Sequence, residues 1–253
     1  RIRSRGLGDV YKRQLLGWPS IFLIMSLLGL LLLLLVFRDL GETKIIKKNK
    51  NTKSSASFIN LFWEAKFWGY SFTLAFSAGT FFSFLGGAPY VATKVYNLNS
   101  VVSGLVMGFP AAGYFIGNYL SGRYSKFYGI DYMALRGILL VIFGMFTCLV
   151  ITVFYRDTPY FFFGLCSFVG LGNGLIIPNA SVGILSVNEN LSGTAGGIGN
   201  AIMIGTGAIL ASLTSYYLEN QTSSSYLVFI MLLSGALSYT CLLYTSPSPR
   251  DRI

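Results

Sequence analysis

At 253 residues, with 53% hydrophobic and only 11% charged side chains, the chain has too few ions to cover a water-facing surface, since soluble domains carry about 25% charged residues. A count of zero histidines removes the commonest general base and metal ligand. Cys148, Cys166 and Cys241 show no CxxC spacing, so neither a zinc site nor a disulfide framework is indicated.

Both ends read as non-native. Residues 4–14 (SRGLGDVYKRQ) and 241–251 (CLLYTSPSPRD) can be encoded by one DNA segment read on opposite strands, the second one base out of frame. Two unrelated protein segments would not share that relation. Residues 1–14 and 241–253 are therefore expected to be adapter-derived and are set apart from function, as a cloning scar would be. The formal net charge of +10 includes these ends; residues 15–240 keep 12 Lys+Arg and 7 Asp+Glu. That stretch reads as a fragment of a longer protein.

Crossing about 30 Å of hydrocarbon takes about 20 mostly apolar residues in a helix. In chain order, the first expected span is 15–37, which ends in LLGLLLLLLVF and holds no charge. Residues 38–66 follow as a polar, Lys/Asn/Ser-rich linker. Further spans are expected at 67–93, 101–120, 137–155, 160–187, 191–218 and 226–240, the last cut short. Barrel strands run about 10 residues with alternating polarity; these segments are longer and do not alternate. The expected fold is all-α and integral to the membrane, a polytopic helical bundle. Pro110 and Pro178 fall within spans and are expected to kink them.

Basic residues fix an expected orientation. The linker holds seven of them, and 121–136 holds Arg123, Lys126 and Arg136, whereas the intervening connections offer Lys94 and Arg156. By the positive-inside rule the linker and 121–136 are cytoplasmic. The protein is expected in the bacterial inner (plasma) membrane as a multi-pass chain, with the lipid bilayer as its first partner.

One span, a long basic linker and six more spans resemble the middle and second half of a twelve-helix transporter of the major facilitator superfamily. Local sequence resembles its Bcr/CflA drug-resistance subfamily: GWPSIF at 17–22 and GET at 41–43 resemble the sixth helix and its exit. FSFLGGAPYV at 82–91 resembles the end of the seventh, and GYFIGNYLSGRYSKFYG at 113–129 the eighth with its loop. IPNASVGIL at 177–185 and LSGTAGGIGNAI at 191–202 resemble the tenth and eleventh. The superfamily's cytoplasmic loop motif survives in part as Gly117, Gly122, Arg123 and Lys126, with Ser121 where an acid would stand. The resemblance implies a proton-driven exporter of drugs or other small amphipathic molecules, with protons and the missing amino-terminal half as further partners. The family's usual coupling residues belong to helices this chain does not contain.

Polar side chains inside spans need partners or a cavity, because hydrocarbon supplies neither donors nor acceptors. Tyr70, Tyr114, Asn118, Asn173, Asn179 and Asn200 are the candidates to line a substrate cavity, with Asn173 and Asn200 foremost. Interhelical hydrogen bonding is the competing role for each. The dense glycines, Gly193 and Gly197 among them, are expected to let helix backbones pack closely; a nucleotide loop would need a preceding strand. The expected spans contain no Asp, Glu or His, which argues against a membrane enzyme. No cofactor, metal or nucleic-acid partner is implied. An amino-acid or other metabolite exporter of the same superfamily is the alternative function, and a non-transporting membrane sensor or scaffold the less favoured one.

Overall fold

The structure, a computed structural model, describes residues 19–39, 61–155, 157–188, 191–219 and 223–245. It divides into two compact units, 1–52 and 53–253. The first contains α1, Pro19–Asp39. Leucines 30 to 35 are all exposed within that unit, and a helix apolar on every side needs lipid or protein around it. Residues 40–60 of the expected linker lie outside the described residues, as do 1–18 and 246–253.

The second unit is a bundle of α2 (Ala65–Tyr90), α3 (Ser100–Val106), α4 (Phe109–Tyr128), α5 (Ile130–Phe154), α6 (Pro159–Ser186), α7 (Ser192–Leu218) and α8 (Ser225–Thr245). With α3 and α4 taken as one stretch, seven described segments are long and apolar enough to cross a membrane. Helices α2 and α6 form the buried centre. α6 packs mainly on α4 and α5, and α2 mainly on α7 and α8. The centre is made of small and hydroxyl side chains: Ser71, Thr73, Ser77, Ala78, Thr80 and Ser83 of α2 are all buried.

Lipid is as apolar as leucine, so helices associate here through close backbone contact rather than water exclusion. Two glycine pairs, each spaced by four, make the α4–α6 seam. A Cβ added to Gly174 would lie 2.6 Å from the Tyr114 carbonyl oxygen, and one added to Gly113, Gly117 or Gly170 would strike the facing backbone outright. Gly137 and Gly172 do the same between α5 and α6. By contrast, Gly193 and Gly197 face open space among the described residues, as does Gly205. Within this bundle, α7 uses Gly199 and Gly207 instead, against Ile184 of α6 and Phe82 of α2.

Two further features depart from the sequence expectations. The stretch expected at 101–120 is broken at Met107–Gly108, and Pro110 sits in the first turn of the new helix α4. Proline brings no N–H for the Val106 carbonyl but suits a helix start, so it separates two helices rather than bending one. Pro178, in contrast, stays inside a continuous α6. Gly122, Arg123 and Lys126 are helical, not in a loop: α4 runs to Tyr128, and the turn is a single residue, Gly129, at φ 84°. Falling hydropathy marked the membrane edge, whereas the helix continues until a residue that tolerates positive φ. As the apolar CLLYT after Thr240 leads one to expect, α8 continues to Thr245.

Candidate functional site

The six cavity candidates do not converge on one chamber. Asn173 is buried between α6 and α2: the Ser77 hydroxyl donates to its Oδ1, and its Nδ2 donates to Thr80 Oγ1 at 3.3 Å. Asn179 is buried between α6 and α4, where its Nδ2 donates to Ser121 Oγ at 2.8 Å and to the Leu175 carbonyl at 2.6 Å. Both amides tie helices together. Asn118 donates along its own helix to the Tyr114 carbonyl at 2.9 Å, and the Tyr114 ring is exposed on α4. Tyr70 is buried, with Gly183 of α6 so close that an added Cβ would meet its ring at 2.7 Å.

Asn200 alone combines exposure with a concave setting. It lines a small crevice of about 50 Å³ with Leu74 of α2, Ser181, Ile184 and Leu185 of α6, and Gly196 of its own helix. Ser71, one turn before Leu74, is buried and its hydroxyl has no hydrogen-bond partner. The crevice has mostly apolar walls and carries the Asn200 amide and the Ser181 hydroxyl, groups that can hydrogen-bond one polar group of a neutral molecule lying against them. Among the described residues no group of three His, Cys, Asp or Glu side chains could hold a metal ion.

Two tyrosine–aspartate pairs escaped the sequence reading. At one end of the bundle the Tyr70 hydroxyl donates to Asp131 Oδ1 at 2.6 Å. At the other, the Tyr96 hydroxyl donates to Asp157. The first pair links α2 to the start of α5, the second links the connection after α2 to the connection after α5, and the members of each are separated by 61 residues. Asp157 also accepts from Ser223 Oγ at 3.0 Å, from the Ser224 N–H at 2.9 Å and from Ser224 Oγ at 2.8 Å. One carboxylate thus gathers the three connections on that face. The shared spacing of 61 was readable in principle, but nothing local marks a tyrosine as the partner of an acid so distant.

Burial, and then the hydrogen bond to Asp157, hold the Tyr96 phenol well above its ordinary value. The unfolded chain releases that proton first, so the stability it contributes is complete below the ordinary value near 10 and is lost as pH rises beyond it. In detergent, the unfolding midpoint of the unaltered chain should fall relative to Tyr96→Phe only above about pH 10. A constant difference between the two across that range would refute the linkage.

With this geometry in place, comparison with known proteins decides the family. Residues 14–212 match the Major Facilitator Superfamily. The chain belongs to that superfamily, whose members are transporters rather than enzymes. It is a multi-pass membrane protein with half of the superfamily's helical architecture. It is 20% identical over 229 residues to the Uncharacterized MFS-type transporter YdgK of Bacillus subtilis, covering 88% of this chain and 56% of the relative. An Uncharacterized transporter of Rickettsia felis is 24% identical over 237 residues, 89% and 58% of the respective chains. A Bicyclomycin resistance protein homolog of Haemophilus influenzae is 29% identical over 205 residues, 78% and 50%. The chain spans about half the length of the curated relatives it matches.

Proposed function

We propose that this major-facilitator chain is the second bundle of a proton-driven exporter of small amphipathic compounds, working by alternating access against a first bundle of comparable size. In this reading the basic face, with Arg123, Lys126 and Arg136, is cytoplasmic, and the membrane is a bacterial inner membrane. The observation that carries the proposal is the outward face of α7. Gly193, Gly197, Ala201, Gly205 and Ala208 are exposed along its amino-terminal two thirds, with Asn200 beside them and Ile204 as the one bulky residue among them. The helix holds no charged residue. Elsewhere the outward faces are bulky: Phe143 and Phe146 on α5, Phe229 and Leu233 on α8. Bulky apolar faces suit lipid, whereas a face made mostly of small residues suits a sliding neighbour helix and a substrate passing between bundles. The absence of charge in the strip favours amphipathic over strongly ionic cargo. A relative named for bicyclomycin resistance supports export of a drug-like compound.

In pump-deficient bacteria, the full-length protein should lower the accumulation of amphipathic dyes. Asn200→Leu should weaken apparent affinity about fivefold, the worth of one hydrogen bond of about 1 kcal/mol, with unchanged expression. If full-length protein at normal membrane abundance leaves every dye in a broad panel at control levels, the exporter reading fails.

A further inference from the structure

The corner where α4 turns into α5 carries a surface that the transport reading does not use. Tyr124 and Tyr128 of α4 and Tyr132 of α5 form a row across it. Ring centroids are 6.3 Å apart for the first two and 5.4 Å apart for the stacked second pair. The Arg136 guanidinium completes the row, 4.9 Å above the Tyr132 ring. Gly129, at φ 84°, makes the turn tight enough for rings on two helices to stack. All three rings are exposed, Tyr128 by 59%.

Three cations stand at this corner: Arg123 and Lys126, three residues apart on α4, and Arg136 on α5. Among the described residues none of them has an acidic partner. Asp131, the acid in the first turn of α5, is engaged by the Tyr70 hydroxyl. Among the described residues the three cations therefore carry no ion pair, and they lie at the level where α4 passes from apolar sequence (109–120) to SGRYSKFY (121–128). That level is the membrane interface, where tyrosines anchor and Lys and Arg reach toward head groups. The occupant must be anionic. The segment 38–66, with seven basic residues against three acids, is a poor match by charge, and so is the same corner of a second copy.

We propose that this tyrosine-lined cationic corner binds the head group of an anionic phospholipid. Arg123, Lys126 and Arg136 supply charge-assisted donors to the phosphate, the tyrosine hydroxyls supply neutral ones, and the ring row seats the glycerol and upper acyl segments. The site is independent of the crevice at Asn200 and does not rest on the exporter reading.

The test uses the full chain in neutral detergent. It is titrated with phosphatidylglycerol, with phosphatidylcholine of the same acyl chains, and with inorganic phosphate, and bound lipid is read by native mass spectrometry. Phosphatidylglycerol should be retained in preference, and rising ionic strength should release it. Arg123→Gln, Lys126→Gln and Arg136→Gln should each weaken retention about fivefold, from about 1 kcal/mol per cation near a membrane surface. Lys94→Gln, on the other face, should leave it unchanged. The salt dependence of the unaltered chain decides the matter even if a variant fails to fold. Equal retention of the two lipids overturns the proposal. So does full activity of inorganic phosphate as a competitor, which would mark a free-anion site, or a change of oligomeric state in the Gln variants, which would mark a protein interface.

Discussion

Gly170→Ala should destabilise the bundle by about 3 kcal/mol, the upper part of the range for overpacking a dense interior. The new methyl group would collide with the Pro110 backbone, lying 2.6 Å from its carbonyl carbon and closer still to its oxygen. Backbone at the start of a helix cannot step aside as a flexible side chain can, so α4 and α6 would separate. Alanine also improves helix propensity over glycine by up to about 1 kcal/mol, and that gain works against the clash. Gly164→Ala isolates it: Gly164 lies in the same helix with open space where its Cβ would be. The two substitutions should therefore shift stability in opposite directions. Denaturant unfolding in mixed micelles, followed by circular dichroism, measures both. Equal midpoints for the two variants would mean that the α4–α6 seam does not hold the bundle.

Asp157→Ala should have a comparable effect, a loss of about 3 kcal/mol. The carboxylate accepts from Tyr96, Ser223 and twice from Ser224, and Ser224 is fully buried. Leaving a buried donor unpaired costs about 1–3 kcal/mol, and at least the Ser224 N–H has nowhere else to turn when the acid is gone. Asp157→Asn keeps one acceptor oxygen and should lose about 1 kcal/mol, as the charge assistance goes. Hydrogen exchange in detergent should show the opening first at residues 223–225, ahead of the α4–α6 seam. Unaltered protection there in Asp157→Ala would show that the connections on this face are held by something other than the carboxylate.

The spans were legible in the sequence because hydrocarbon thickness imposes a minimum apolar length, and 160–187 and 191–218 lie within a residue of the helices α6 and α7. Helix ends were less legible. Ser121 through Tyr128 reads as a loop by polarity, yet it contains no proline, its one glycine keeps a negative φ, and the Ser121 hydroxyl is paired by Asn179. The site was legible only as a list of residue types. Asn173, Asn179 and Asn200 look alike in sequence, but their roles depend on the rotational phase of each helix within the bundle. That phase places the first two between helices and the third in a crevice. The glycines divide in the same way: Gly170 and Gly174 meet a backbone, whereas Gly193 and Gly197 meet none among the described residues. No single helix carries that information, because it depends on what the facing helix presents. The Tyr–Asp pairs were hidden for a related reason, since each joins segments that are separated along the chain by others.

The central claim is that this bundle, joined to a first one, exports amphipathic compounds at the expense of a proton gradient. Full-length protein reconstituted in the inside-out orientation in vesicles, with an acid pulse in the lumen, measures that most directly. The expected result is dye accumulation in the lumen only while the gradient lasts, abolished by a protonophore. Dye accumulation that is indifferent to the gradient, or none with any of a broad panel of dyes, would contradict it.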